Sequence, residues 1–71
     1  MASVYRIIDV VGTSPNSWEE AAAEAVRTAS GTLRDLRVAE VVKLDMTVDD
    51  EGEVVLYRSR LQLSFKYEPE A

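Results

Sequence analysis

The sequence has no cysteine and no histidine. Without cysteine there are no disulfides, no zinc-thiolate centre and no thiol chemistry. Without histidine the usual general base, the Ser-His-Asp arrangement and the commonest transition-metal ligand are gone. A surplus of positive charge is also missing: eight basic against thirteen acidic residues leave a net charge of −5. That balance excludes nucleic acid, which requires a basic footprint, and anionic membrane surfaces as partners. No run of ~18 apolar residues occurs, so no segment is expected to span a membrane. The N-terminal MASVYRIIDVV carries Asp9 inside its short apolar run and makes a poor signal peptide. A cysteine-free chain suits a reducing compartment, and a cytoplasmic protein is expected.

Size is scarce as well. The 71 residues hold one domain, 1–71. A domain this small buries roughly 60 % of the surface its unfolded chain exposes. Chains of this size add disulfides, a metal or oligomerisation to reach stability. Disulfides being impossible, a metal or self-association remains.

What is present divides into four elements in β-α-β-β order. Ser3 to Gly12 is short and rich in β-branched residues, as in a strand. Gly12 to Ser17 (GTSPNS) is a cluster of turn formers, and Ser17 with Glu20 three residues later is a capping-box signature. The stretch from Ser17 to Leu36 reads as a helix, with Trp18, Ala22, Ala25, Val26, Ala29 and Leu33 on one stripe. Because that stripe is mostly alanine, the helix is expected to approach its sheet closely. Glu20, Glu24 and Arg27 fall on the wet side. Two long strands follow, Arg37 to Val48 and Val54 to Tyr67, joined by the acidic turn DDEGE. The expected fold class is α+β: one amphipathic helix wrapped by a three-stranded, antiparallel-rich sheet. Glu68 to Ala71 reads as a frayed tail.

Alternation assigns Val55, Tyr57, Ser59, Leu61, Leu63, Phe65 and Tyr67, with Ala39 and Val41, to the helix side. Strict alternation then puts Val38, Glu40, Val42, Leu44 and Met46 on the far face, with Arg58 and Arg60. So much apolar surface on an uncovered face predicts a subunit interface at Val38, Glu40, Val42, Leu44, Met46, Arg58 and Arg60. Glu40 is expected to form a buried interfacial salt bridge with the neighbouring arginines rather than to act in catalysis. No nucleophile, base or cleft for an enzyme is evident.

Val11-Gly12-Thr13-Ser14-Pro15, the alanine-rich helix, Ala39-Glu40-Val41 and Leu61-Gln62-Leu63-Ser64-Phe65 stand in an order and spacing that resemble the dodecin family. The resemblance implies a β-α-β-β subunit assembling into a hollow homododecamer whose best-known members store flavin. It also implies three departures. The position of the tryptophan that stacks on flavin is Val38 here, which has no aromatic face. A ring-edge glutamine is replaced by Arg58, and Asp45 stands where some members hold a ligand phosphate with arginine. A branch of the family lacking that tryptophan is described as calcium dodecin, and this sequence looks like that branch.

Flavin is therefore not the expected ligand. With no histidine or cysteine, any metal site uses oxygen alone, which points to calcium, with magnesium as the alternative. Asn16, Ser17 and Glu20 at the helix start, with Asp45 and Thr47 from the same end of the second strand, are the candidate ligands. The competing account makes Ser17 and Glu20 caps and Asp45 the partner of an arginine. DDEGE does not fit a calcium-binding EF-hand loop: with Gly52 at the required glycine, Arg58 falls where the bidentate glutamate belongs. It reads as a solvated turn.

Overall fold

A computed structural model describes residues 2–67; the tail expected at 68–71 lies outside them. The element order is β1 (Tyr5–Ser14), α1 (Trp18–Thr32), β2 (Leu36–Val48) and β3 (Val54–Lys66), the expected β-α-β-β. The sheet order is β1-β3-β2, with both pairings antiparallel. β3 is thus central, and the two edges are β1 and β2. Among the described residues no helix is long and apolar enough to cross a membrane.

α1 lies across β1 and β3. Its buried residues, Ala21, Ala25 and Ala29, meet Leu61, Leu63 and Phe65 of β3, with Ile8, Val10, Ala22, Val26, Leu33 and Leu36 packed around them. The small stripe permits the close approach expected from the sequence, and Gly12 makes it closer still. A Cβ built on Gly12 would stand 2.0 Å from the Ala21 carbonyl oxygen. This glycine therefore serves helix–sheet contact and not a turn. β1 continues through it to Ser14, two residues beyond the expected strand end.

The helix is shorter than expected, ending at Thr32 instead of Leu36. The Leu33 N–H still bonds to the Ala29 carbonyl, but Leu33 is already extended. Gly31 weakens the last turn, no basic residue complements its dipole, and Asp35 takes a left-handed φ of 63° that redirects the chain into β2.

The larger departure lies in β2. Val41 pairs with Leu61, but Lys43 pairs with the adjacent residue, Arg60, so Val42 is an extra, unpaired residue. Such a β-bulge breaks the count of alternation. Downstream of it Leu44 is opposite Ser59 and Met46 opposite Tyr57, on the helix side, while Lys43 and Asp45 turn to the far face. The assignment of Leu44 and Met46 to the far face is corrected accordingly. Val38, opposite Ser64, and Glu40, opposite Gln62, lie on the far face as expected. Two more register shifts flank the bulge: one between Leu36 and Val38, which puts Leu36 opposite Phe65, and one between Thr47 and Val48, which brings Val54 opposite Val48, so Val54 replaces Val55 on the helix side.

Beyond Leu36, which packs on the core, the large helix-side residues of β2 are left open by the helix. Val41, Leu44 and Met46 remain 48, 50 and 45 % exposed. The subunit is drawn out to 56 × 20 × 16 Å, with a radius of gyration of 14.8 Å. A compact chain of this length would have about 11 Å. The β2–β3 hairpin extends past the helix and carries its apolar residues with it.

Candidate functional site

The junction of β1 and α1 gathers oxygen and amide groups around one carboxylate. The Ser14 hydroxyl, buried, donates to Glu20 Oε2 at 2.7 Å, and Asn16 Nδ2 donates to the same oxygen at 2.9 Å. Ser14 Oγ in turn accepts from the backbone N–H of Asn16 and Ser17 at 2.9 and 3.3 Å. Ser17 caps the helix, its hydroxyl accepting the Glu20 N–H at 3.0 Å. Only half of a capping box forms, because the Glu20 side chain turns back to Ser14 and Asn16. Those two hydrogen bonds, Ser14 first, lower the Glu20 pKa below its ordinary 4.5, so it is a fixed negative charge at neutral pH.

Of the expected ligands, Asn16, Ser17 and Glu20 are brought together. Asp45 and Thr47 are not with them. The expectation that the helix start and the second half of β2 share one end is met, since Trp18 Nε1 donates to the Asp45 carbonyl at 2.9 Å. The Asp45 carboxylate, however, points through the sheet to the other face, where it accepts from Arg58 Nε at 2.8 Å. The bulge at Val42 is the reason: it places Asp45 opposite Arg58. The Thr47 hydroxyl accepts the Leu56 N–H at 3.2 Å.

Ser14 is the residue that sequence reasoning missed. Its signal was its place just before the Pro15-Asn16-Ser17 turn, six residues ahead of Glu20.

The donors at this junction suit a hard cation in kind: carboxylate, hydroxyl and amide oxygens with no sulfur or imidazole. Glu20 Oε1 accepts no hydrogen bond among the described residues. In number they fall short of the six to eight oxygens calcium takes. No group of three acidic side chains forms among the described residues, and the helix dipole opposes a cation here. A calcium ion held here would need further oxygens from outside this cluster.

On the far face the charges form rows. Asp9 and Glu40 flank Gln62; Val11 and Lys43 flank Arg60; Thr13 and Asp45 flank Arg58. Arg60 lies 3.8 Å from Asp9, and among the described residues Glu40 has no ion pair. The Glu40 bridge to Arg58 or Arg60 thus does not form within the chain. Asp49 Oδ1 accepts from the backbone N–H groups of Glu51 and Glu53 at 2.9 and 3.0 Å, so DDEGE is a turn held by its own first residue.

Comparison with known proteins places the chain among relatives. A family model described as Dodecin matches residues 4–68. Calcium dodecin of Mycobacterium tuberculosis is 54 % identical over 67 residues, covering 94 % of this chain and 93 % of that one. The crystal structure of that calcium-chelating protein, described as having a novel calcium-binding site, superposes with a TM-score of 0.81 at 52 % identity, covering 97 % of each chain. Dodecin from Streptomyces coelicolor superposes with a TM-score of 0.88 at 38 % identity, covering 96 % of each.

Proposed function

The chain belongs to the dodecin family, and from that premise we propose that it is a non-enzymatic subunit of a cytoplasmic homododecamer that binds calcium. The observation that carries the calcium reading is the ionised Glu20, held by Ser14 and Asn16 with one carboxylate oxygen left free. The 54 % identity to a calcium dodecin supports it. Asn16 and Ser17 supply further neutral oxygens. In this reading Asp45 and Thr47 contribute only if a neighbouring subunit brings them near, since within one chain both are engaged elsewhere. The mechanism is passive: a charged carboxylate and neutral oxygens hold the ion, which stabilises the assembly or buffers the metal. Magnesium competes poorly, because it demands near-octahedral geometry and sheds its water reluctantly.

Self-association is supported by unfinished packing. Val41, Leu44 and Met46 on the helix side, and Val38 and Val42 elsewhere on β2, expose apolar surface that a soluble chain covers. Glu40, Arg58 and Arg60 then join that interface from the far face. Flavin storage is disfavoured: Val38 offers no ring to stack, and Arg58 is held by Asp45.

Titration calorimetry tests the metal reading. Calcium is expected to give saturable heat and a raised melting temperature, both shifted to about tenfold higher calcium in Glu20→Gln. Absence of both in the unaltered protein at millimolar calcium would leave a purely structural module. A yellow preparation that quenches flavin emission would favour flavin instead. Light scattering tests the assembly separately, and a monomer or dimer mass would overturn it.

A further inference from the structure

One side chain joins the Glu20 cluster to the open half of β2. Trp18 is the first residue of α1, directly after the Ser17 cap and two residues before Glu20. Its indole Nε1 donates to the Asp45 carbonyl of β2 at 2.9 Å, 27 residues away in sequence. Its own carbonyl accepts the Ser59 hydroxyl of β3 at 2.8 Å, and Ser59 is fully buried. Its ring meets Tyr57 edge-on, with centroids 5.1 Å apart. The sheet register sets the residues around it in two rows: Ser14, Tyr57 and Met46, then Gly12, Ser59 and Leu44. Each row starts on β1 under the helix and ends in the open half. Ser14 is the residue that bonds Glu20, and Leu44 and Met46 are half-exposed apolar surface.

Elsewhere the helix start and β2 stand apart. Trp18, Glu19, Ala22, Val41, Leu44 and Ser59 line a hollow of about 340 Å³ between them. β1 ends opposite Tyr57, so beyond that row β2 and β3 pair only with each other. Trp18 thus stands at the root of an overhang. We propose that Trp18 is the positioning residue through which calcium binding at Glu20 and assembly through the open half strengthen each other. The inference rests on the metal and assembly readings above and names what links them. With an ion bound, Glu20, Asn16 and Ser17 hold the first turn of α1 in one arrangement, and with it the indole that sets the angle of the overhang. A fixed overhang presents Leu44 and Met46 in the orientation that packing against another copy needs, so part of the ordering that assembly requires is already done. The two states differ in whether the bond from Trp18 to the Asp45 carbonyl is kept. Linkage makes the effect reciprocal: whatever calcium contributes to assembly, assembly contributes to calcium binding.

The chain has one tryptophan, so Trp18 emission reads its own surroundings. Calcium titrated into the unaltered protein should shift that emission with the same midpoint as the heat of binding. Heat without a change in emission overturns the proposal and leaves the metal reading standing; absence of heat overturns both. The second arm is a double-mutant cycle on calcium affinity, measured by calorimetry. Leu44→Glu, which breaks assembly from outside the cluster, should weaken calcium binding by about tenfold, although its added negative charge by itself attracts a cation. Trp18→Phe keeps an aromatic ring and lacks the N–H. In that background Leu44→Glu should weaken binding no further, and calcium should no longer raise the urea concentration at which light scattering reports dissociation. A merely structural role for Trp18 would lower the melting temperature and keep the tenfold step, and oxygens supplied to the ion by a neighbouring copy would keep it too. Circular dichroism checks that each variant is folded, and the emission arm stands whether or not Trp18→Phe folds. The proposal is overturned by an undiminished step in folded Trp18→Phe, or by unchanged calcium affinity in Leu44→Glu.

Discussion

The helix side of the sheet has two halves built from the same alternating pattern, and they meet different fates. Under α1, Ser59, Leu61, Leu63 and Phe65 of β3 are all but fully buried. One strand away, Val41, Leu44 and Met46 of β2 point to the same side and stay half exposed. The difference lies in the reach of α1, which has 15 residues and an alanine stripe. That stripe brings it tight against β1 and β3, and tightness there leaves β2 uncovered. Trp18 extends toward the open half, where it meets Tyr57 edge-on at 5.1 Å and bonds to the Asp45 carbonyl. One half is a finished core. The other has the composition of a core and lacks a cover.

Substitutions can break each half separately. The largest effect is expected from Gly12→Ala in the covered half. Its new methyl would meet the Ala21 carbonyl, which is backbone and cannot swing away. Forcing the helix off the sheet costs about 3 kcal/mol, enough to leave little folded protein in a urea titration. Normal stability would mean that helix and sheet do not touch there.

Leu44→Glu in the open half should leave the covered core intact and abolish assembly, because the interface would have to bury a charge without a partner. Light scattering would then report subunit-sized particles. Val38→Glu lies on the other face and should do less. If the two variants behave alike, the open half is not the main contact between copies.

Glu20→Gln should spare both halves and weaken calcium binding by roughly tenfold. The pH dependence follows from the lowered pKa of Glu20. Its charged form, and the Ser14 and Asn16 hydrogen bonds to it, are fully present above the ordinary value of 4.5 and are lost as pH falls through the lowered folded value. Calcium binding should therefore be flat down to mildly acidic pH and fail below it, which calorimetry across that range would show. The smallest effect belongs to Asp35→Gly. Relief of a left-handed φ of 63° should stabilise by about 0.5 kcal/mol, seen as a slightly higher melting temperature, since its pair with Arg37 at 3.6 Å is exposed.

Much of this was legible in advance. The alanine stripe announced a close helix, the turn formers and acidic turn bounded the strands, and Ser17 with Glu20 marked the helix start. Residues opposite the helix in β3 followed from alternation alone, because β3 runs unbroken from Tyr57 to Phe65. Leu44, Met46 and Asp45 did not follow. Val42 in RVAEVVKLD looks like any other β-branched strand residue, so nothing local says that it is the one left unpaired. The candidate site was half legible for the same reason. Asn16, Ser17 and Glu20 are close in sequence and meet through local turn and helix geometry, whereas Asp45 had to be placed by the register of a distant pairing.

The sequence by itself determined that the chain is small, that it cannot be cross-linked by disulfides, and that any metal must be held by oxygen. It also determined the β-α-β-β order, since each element is written in local periodicity and caps. Tertiary structure decided which side of the sheet each β2 residue occupies. A single unpaired residue inverts every side chain beyond it, and pairing between strands is a non-local property. That inversion sends Asp45 to Arg58 and away from Glu20, leaves Lys43 facing Arg60, and turns Leu44 and Met46 toward the side the helix does not reach.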